Sequence, residues 1–398
     1  MPTSQEEAIM SQTFTIDVPQ TELDDLRDRL ARVRWPNTTD DASDQHGVPV
    51  DLVRRLVEHW RDGYDWRRHE ADLNRMAHGI REVRGLRIHH LHERADRGGR
   101  VPAVLLHGWP DSFYRYHLVV PRLVAAGHDV VVPSLPGYTF SDQPDGPMTV
   151  EDVAEVVHEL VVGLGYDRYA AHGGDWGSAI AERLALTYSE AVLALHLTDV
   201  PYQHQFMLDR AEISDAERAF LEAGDAWAEK ASYFTVQSSD PTTLAYGLSD
   251  SPVGLAAWLL DKFRAWSDRE PDLDQAITQV MLYWHTNTIR SSMRLYAEGL
   301  GSWDDDATWG EGESEGLDAD SWSGQHDARD WAGDVVSVPS AFALFPHDIG
   351  VPPREYAERF FAVERFTLMP RGGHFGALEE PELLAEDLIA FLASLDVK

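Results

Sequence analysis

Residues 167–179 read DRYAAHGGDWGSA, a short apolar run that enters three glycines set around one aspartate and leaves as a helix. Gly173-x-Asp175-x-Gly177 has the spacing of a nucleophile elbow, the tight strand-to-helix turn that lifts one side chain above a parallel sheet. Such a turn is crowded and strained, so small residues must flank it. The helix that follows aims its first amides at the lifted group and favours an anion there. Serine is the usual occupant. A carboxylate at Asp175 is either that anion or a plain helix N-cap, and the turn alone leaves both readings open.

The segments around this turn decide the fold. VPAVLLHG (101–108), HDVVVPSLPG (128–137) and AVLALHLTD (191–199) are short, nearly continuous apolar runs, as strands buried on both faces should be. Helical patterns lie between them at 113–126, 149–165 and 177–188. That alternation predicts parallel βαβ units and a sheet covered on both sides. It stops at about 200, gives way to helix-length patterns, and resumes with VPSAFALFPHD (338–348) and ERFTLMPRGGHF (364–375), each followed by a helix.

The expected organisation therefore has five parts. Residues 1–94 form a mainly helical N-terminal segment wrapping the core, with apolar stripes in 21–34 and 50–66 and one strand at 86–93. Residues 95–200 and 335–398 are the two parts of an α/β core, and 201–301 a helical lid inserted between core strands. Residues 302–334 are an acidic, glycine-rich loop, exposed through charge repulsion and low apolar content.

Composition narrows the function. The chain has 398 residues, 43% of them hydrophobic, and a formal net charge of -34. That charge repels nucleic acid and anionic lipid alike. With no cysteine, disulfides, thiolate catalysis and cysteine-ligated metals are excluded. The N-terminus, MPTSQEEAIMSQ, is polar and acidic, and no apolar run approaches the ~20 residues of a membrane span. A soluble, cytoplasmic protein without a membrane anchor is expected. HHLH (89–92) hints at a metal, but it alternates along a strand without a carboxylate cluster, so no metal is expected.

Three more segments bear on Asp175. LLHGWPDS puts Trp109 in the loop after a core strand, where its main-chain N–H can form an oxyanion hole with that of Trp176. LMPRGGHF places His374 after the last strand as a general base. ALFPHDIG places Asp348 after the strand before, to orient His374; Asp199, in HLTDVP, competes for that role. The order nucleophile, acid, histidine is that of the α/β-hydrolase fold. GESEG (312–316) fits the serine form of the elbow, but no strand precedes it, and Ser314 is rejected.

A carboxylate nucleophile suits displacement at an sp³ carbon, which gives an alkyl ester that water, activated by His374, then hydrolyses. Epoxides and haloalkanes fit this scheme. An epoxide oxygen wants an acidic O–H donor; a halide wants indole or amide N–H groups. The lid contains Tyr233 and Tyr296, which the residues alone leave open as donors or packing aromatics.

HGWPDSFYRY (107–116), HGGDWGS (172–178), GLSDSPVGLAAW (247–258), MLYWHTNTIRSSMRLY (281–296) and RGGHFGALEEPELLAEDL (371–388) together closely resemble the microsomal-type epoxide hydrolases. FTIDVPQTELDDLRDRLARVRWP (14–36) looks like that family's N-terminal segment. The resemblance implies hydrolysis of a small, apolar or aromatic epoxide to a vicinal diol without any cofactor, for detoxification or natural-product biosynthesis. It implies Asp175 as nucleophile, His374 as base, Asp348 as orienting acid where relatives commonly carry glutamate, Tyr233 and Tyr296 as ring-opening donors, and Trp109 and Trp176 at the oxyanion hole. A homodimer stays open. The rival readings are a haloalkane dehalogenase on the same scaffold and a catalytically inactive α/β-hydrolase acting as a binding protein.

Overall fold

The structure, a computed structural model, describes residues 11–37, 47–299 and 335–395. The acidic stretch 302–334, with Ser314, lies outside the described residues. Nine strands form one sheet: β1 (Gln12–Thr13), β2 (His78–Val83), β3 (Leu86–Glu93), β4 (Ala103–Leu106), β5 (Val130–Pro133), β6 (Tyr169–Gly173), β7 (Val192–Leu197), β8 (Val336–Leu344) and β9 (Phe361–Leu368). Their spatial order is β1-β2-β3-β5-β4-β6-β7-β8-β9, and the run from β5 to β9 is parallel. The apolar runs form these strands because both faces are covered: all four residues of β4 and of β5 are buried.

This order fixes where chemistry can happen. The chain steps from β4 to β5 on one side and then crosses back to β6 on the other, so strand order reverses at β4. In open α/β sheets the crevice at the carboxyl ends beside such a reversal is where ligands bind. Trp109 follows β4 and Asp175 follows β6, on the two strands that flank that crevice. Asp199, Asp348 and His374 follow β7, β8 and β9 at the same edge.

Between β7 and β8 the described residues run from Tyr202 to Glu298 as helices, the longest being Asp215–Ala228, Pro252–Ala265 and Leu273–Thr286. Ser214 caps the first reciprocally with Glu217, and Asp272 caps the last. None of the helices among the described residues is long and apolar enough to cross a membrane.

Several local expectations are corrected. The helix expected over 113–126 is a 3₁₀ turn, Phe113–Tyr116, and then a short helix, Val120–Ala125. Pro121 explains the break, since proline lacks the donor and clashes with the preceding turn anywhere but a helix start. The stripe in 50–66 is a helix only over Val50–Asp62; Gly63 ends it, and Asp65 caps a new helix at Trp66–Leu73. The N-terminal segment also supplies β1, β2 and β3, of which only β3 was expected. β2 and β3 form a hairpin whose two turn residues, Arg84 and Gly85, both have positive φ, as a two-residue hairpin turn demands. After β8 the chain makes only a single turn, Arg354–Ala357, instead of a full helix.

The N-terminal helices pack against the inserted ones. The Trp60 indole donates to Met281 Sδ at 3.3 Å, Tyr64 bonds Thr278 at 3.0 Å, and His59 meets Asp274 at 2.7 Å. In HHLH, His89 lies buried between His78 and Ser134, at 2.9 and 2.8 Å.

Candidate active site

Asp175 sits at the elbow with φ 59° and ψ -135°, a conformation that side chains other than glycine rarely adopt. Two features hold it there. A Cβ on Gly177 would lie 2.1 Å from the Leu106 carbonyl oxygen, so only glycine lets the helix approach β4 this closely. The main-chain N–H of Asp175 donates to Asp199 Oδ2 at 2.7 Å, and the Ser178 hydroxyl donates to Asp199 Oδ1. Strain at one residue is thus offset by a buried carboxylate beneath it.

The two carboxylate oxygens of Asp175 have different surroundings. Oδ1 accepts from the main-chain N–H of Trp109 at 2.9 Å and of Trp176 at 2.8 Å. Oδ2 lies 3.5 Å from His374 Nε2. A Cβ on Gly108 would stand 2.2 Å from Oδ1, so the HGWP loop needs glycine to bring the Trp109 amide close. Two amide donors thus hold Oδ1, while Oδ2 is left facing the imidazole.

His374 Nδ1 bonds Asp348 Oδ1 at 2.8 Å, and both side chains are buried. Asp199, the rival for this place, bonds the elbow with both oxygens instead. Burial, with the Asp348 carboxylate nearby, pushes Asp199 up to about 6. Burial alone would lower the His374 pKa, but Asp348 and Asp175 outweigh it and raise it to about 10. Its place between these two carboxyl groups favours the protonated form of His374.

That state has a stability signature. A folded-state pKa above the unfolded value stabilises the fold fully below the unfolded pKa and is lost as pH rises through the folded one. The unfolded value is ~6.5. Between there and about 10, wild-type protein should lose stability relative to His374→Gln. Melting temperatures of the two across this window should converge; a constant gap would refute a protonated resting His374.

Tyr233 and Tyr296 face the same cavity from the inserted helices, with ring centroids 5.9 Å apart. The Tyr233 ring stacks on Trp109 at 5.6 Å, and the Lys262 ammonium lies 4.6 Å from its centroid. Burial and the Asp175 carboxylate raise both phenols well above their ordinary value, so both are O–H donors at neutral pH. The cavity, about 160 Å³, is further walled by Trp176, Phe220, Trp227 and Phe234. All seven expected site residues thus converge at the sheet's carboxyl edge, Trp109 and Trp176 through their amides. Lys262, and the buried Asp111 and Arg115, were not expected.

Comparison with known proteins gives a consistent result. Residues 11–116 match the epoxide hydrolase N terminus family, and 102–381 the alpha/beta hydrolase fold. Epoxide hydrolase 1 of Sus scrofa is 31% identical, the match covering 96% of this chain and 88% of that protein. Juvenile hormone epoxide hydrolase 2 of Ctenocephalides felis is 30% identical over 95% and 84%. Among solved structures, the Aspergillus niger epoxide hydrolase superposes with a TM-score of 0.82 at 28% identity, covering 98% of this chain and 97% of that one.

Proposed function

The chain belongs to the epoxide hydrolases of the α/β-hydrolase fold, and on that premise we propose that Asp175 opens the epoxide ring and His374 drives release of the diol. The observation that carries this reading is the division of labour within one carboxylate: Oδ1 holds two amide donors and Oδ2 faces the cavity.

The reaction runs in two displacements. Asp175 Oδ2 attacks a ring carbon, the carbon–oxygen bond breaks, and the oxygen takes a proton from Tyr233 or Tyr296. The product is a hydroxyalkyl ester. Esterification removes the Asp175 charge, one of the causes that hold the His374 pKa up. His374 then loses its proton, which restores the phenol, and becomes a base. In the second displacement it takes a proton from water, and the hydroxide adds to Cγ of Asp175. The oxyanion forms on Oδ1, between the amides of Trp109 and Trp176. Collapse expels the diol alkoxide, which takes the carboxyl proton, and the charged triad returns. Each step thus prepares the protonation state that the next one needs.

The inserted helices serve as the lid, since they carry both phenols and much of the cavity's aromatic wall. That wall favours a compact apolar or aromatic epoxide: the cavity of about 160 Å³ is close to the ~150 Å³ that accepts benzene in an engineered apolar core. The comparisons do not favour a haloalkane dehalogenase or an inactive binding protein.

Tyr233→Phe and Tyr296→Phe should each slow ring opening about tenfold, and the double variant at least about a hundredfold. Single-turnover rates of ester formation test this; two singles as slow as the double would sink a shared role. The mechanism is tested in water enriched with heavy oxygen. Over one turnover with enzyme in excess, the diol should carry ordinary oxygen from Asp175, and the label should enter the enzyme. Label in the first-turnover diol overturns the ester.

A further inference from the structure

Arg115 and Asp111 form an ion pair inside the protein. Their side chains are 2% and 1% exposed, with Arg115 Nη1 donating to Asp111 Oδ2 at 2.5 Å. Fully buried ion pairs stabilise folds weakly, and apolar residues of similar size often do as well. Here the pair also leaves the Arg115 Nε donor buried without a partner. Stability is therefore a poor account of it.

Its other contacts point to the base. Arg115 Nη2 donates to the main-chain oxygen of His374 at 2.7 Å. The orientation of the guanidinium is itself fixed: Asp111 Oδ1 accepts from Gln279 at 2.8 Å, the Asp111 carbonyl accepts from the Tyr283 hydroxyl at 2.7 Å, and Ser112 bonds Gln279. Gln279 and Tyr283 lie on the helix Leu273–Thr286, so insertion, HGWP loop and histidine loop meet at one guanidinium.

The histidine loop carries other ties as well, one of them on His374 itself. Gly372 N–H donates to Asp268 and Gly373 N–H to Glu379. The His374 N–H donates to the Trp266 carbonyl at 2.8 Å. Asp348 fixes the ring about Nδ1. The position of Nε2 over Asp175 then depends on the main chain at His374, whose carbonyl Arg115 holds.

We propose that Arg115, oriented by Asp111, is the positioning residue for His374, and that it serves the hydrolytic half of the reaction. The proposal rests on the ester mechanism given above. Ring opening needs Asp175 and the phenols, neither of which Arg115 bonds. Hydrolysis needs Nε2 aligned with a water and with Cγ of Asp175, and a misplacement of about 1 Å can lower a rate by ~10²-fold.

The test separates the half-reactions by rapid mixing and mass measurement of the intact enzyme. Arg115→Met combined with Asp111→Asn removes both charges and keeps an acceptor for Gln279. Ester formation should stay within about threefold of wild type while hydrolysis falls about a hundredfold, so that the ester accumulates. Arg115→Lys, which keeps the charge but not the forked donor, should fall between. A folded double variant with wild-type hydrolysis, or with both steps slowed alike, overturns the proposal. If the double variant does not fold, Arg115→Lys decides by the same split. A wild-type enzyme that forms no ester overturns the mechanism as well, and shows it before any variant is compared.

Discussion

Asp175→Asn is expected to lower diol formation by on the order of 10⁴-fold or more, the scale seen when a covalent nucleophile is removed. Asparagine is nearly isosteric with aspartate, so it fits the same space and bears the same backbone strain at φ 59° and ψ -135°. Its amide oxygen can keep the two donors from Trp109 and Trp176 that Oδ1 now holds. Only the reacting oxygen changes, to an amide nitrogen without a nucleophilic lone pair. Residual activity should grow with time as the asparagine is hydrolysed, in step with a mass change back to aspartate. Substantial immediate turnover would mean that water attacks the ring directly.

The second large effect is the arrest of the cycle at the ester. His374→Gln should leave ring opening largely intact, because that step draws its proton from the tyrosines. Turnover should fall by about 10²–10⁴-fold, the range for loss of a general base. The enzyme should gain the mass of one substrate, on the peptide containing Asp175. A variant that turns over slowly without ever gaining mass would place His374 in the first step instead.

The site was legible to the extent that backbone crowding and strand order write themselves into sequence. An elbow has no room for a Cβ at Gly173 or Gly177, where one would strike main-chain atoms at 2.2 and 2.1 Å, so the glycines announce the turn. Residues just past apolar runs announce the carboxyl edge, which located Trp109, Asp348 and His374. Asp199 shows the limit: it too follows a strand, and only three-dimensional placement separates a carboxylate under the elbow from one beside the imidazole. β2 was hidden because HGIREV alternates poorly and becomes a strand by pairing with β3. Pro121 stands inside the stretch 113–126 that reads as one helix, and it is the residue that breaks it. Arg115 looked like an ordinary charged residue, since nothing local reveals that it is buried.

The hydrogen bond from His374 N–H to the carbonyl of Trp266 has a kinetic corollary. Trp266 directly follows the helix Pro252–Ala265, so swinging this part of the cap outward would pull the imidazole's own backbone with it. The end of that helix and the main chain of His374 are thus held as one unit beside the cavity that Tyr202 and Trp227 line on its other side.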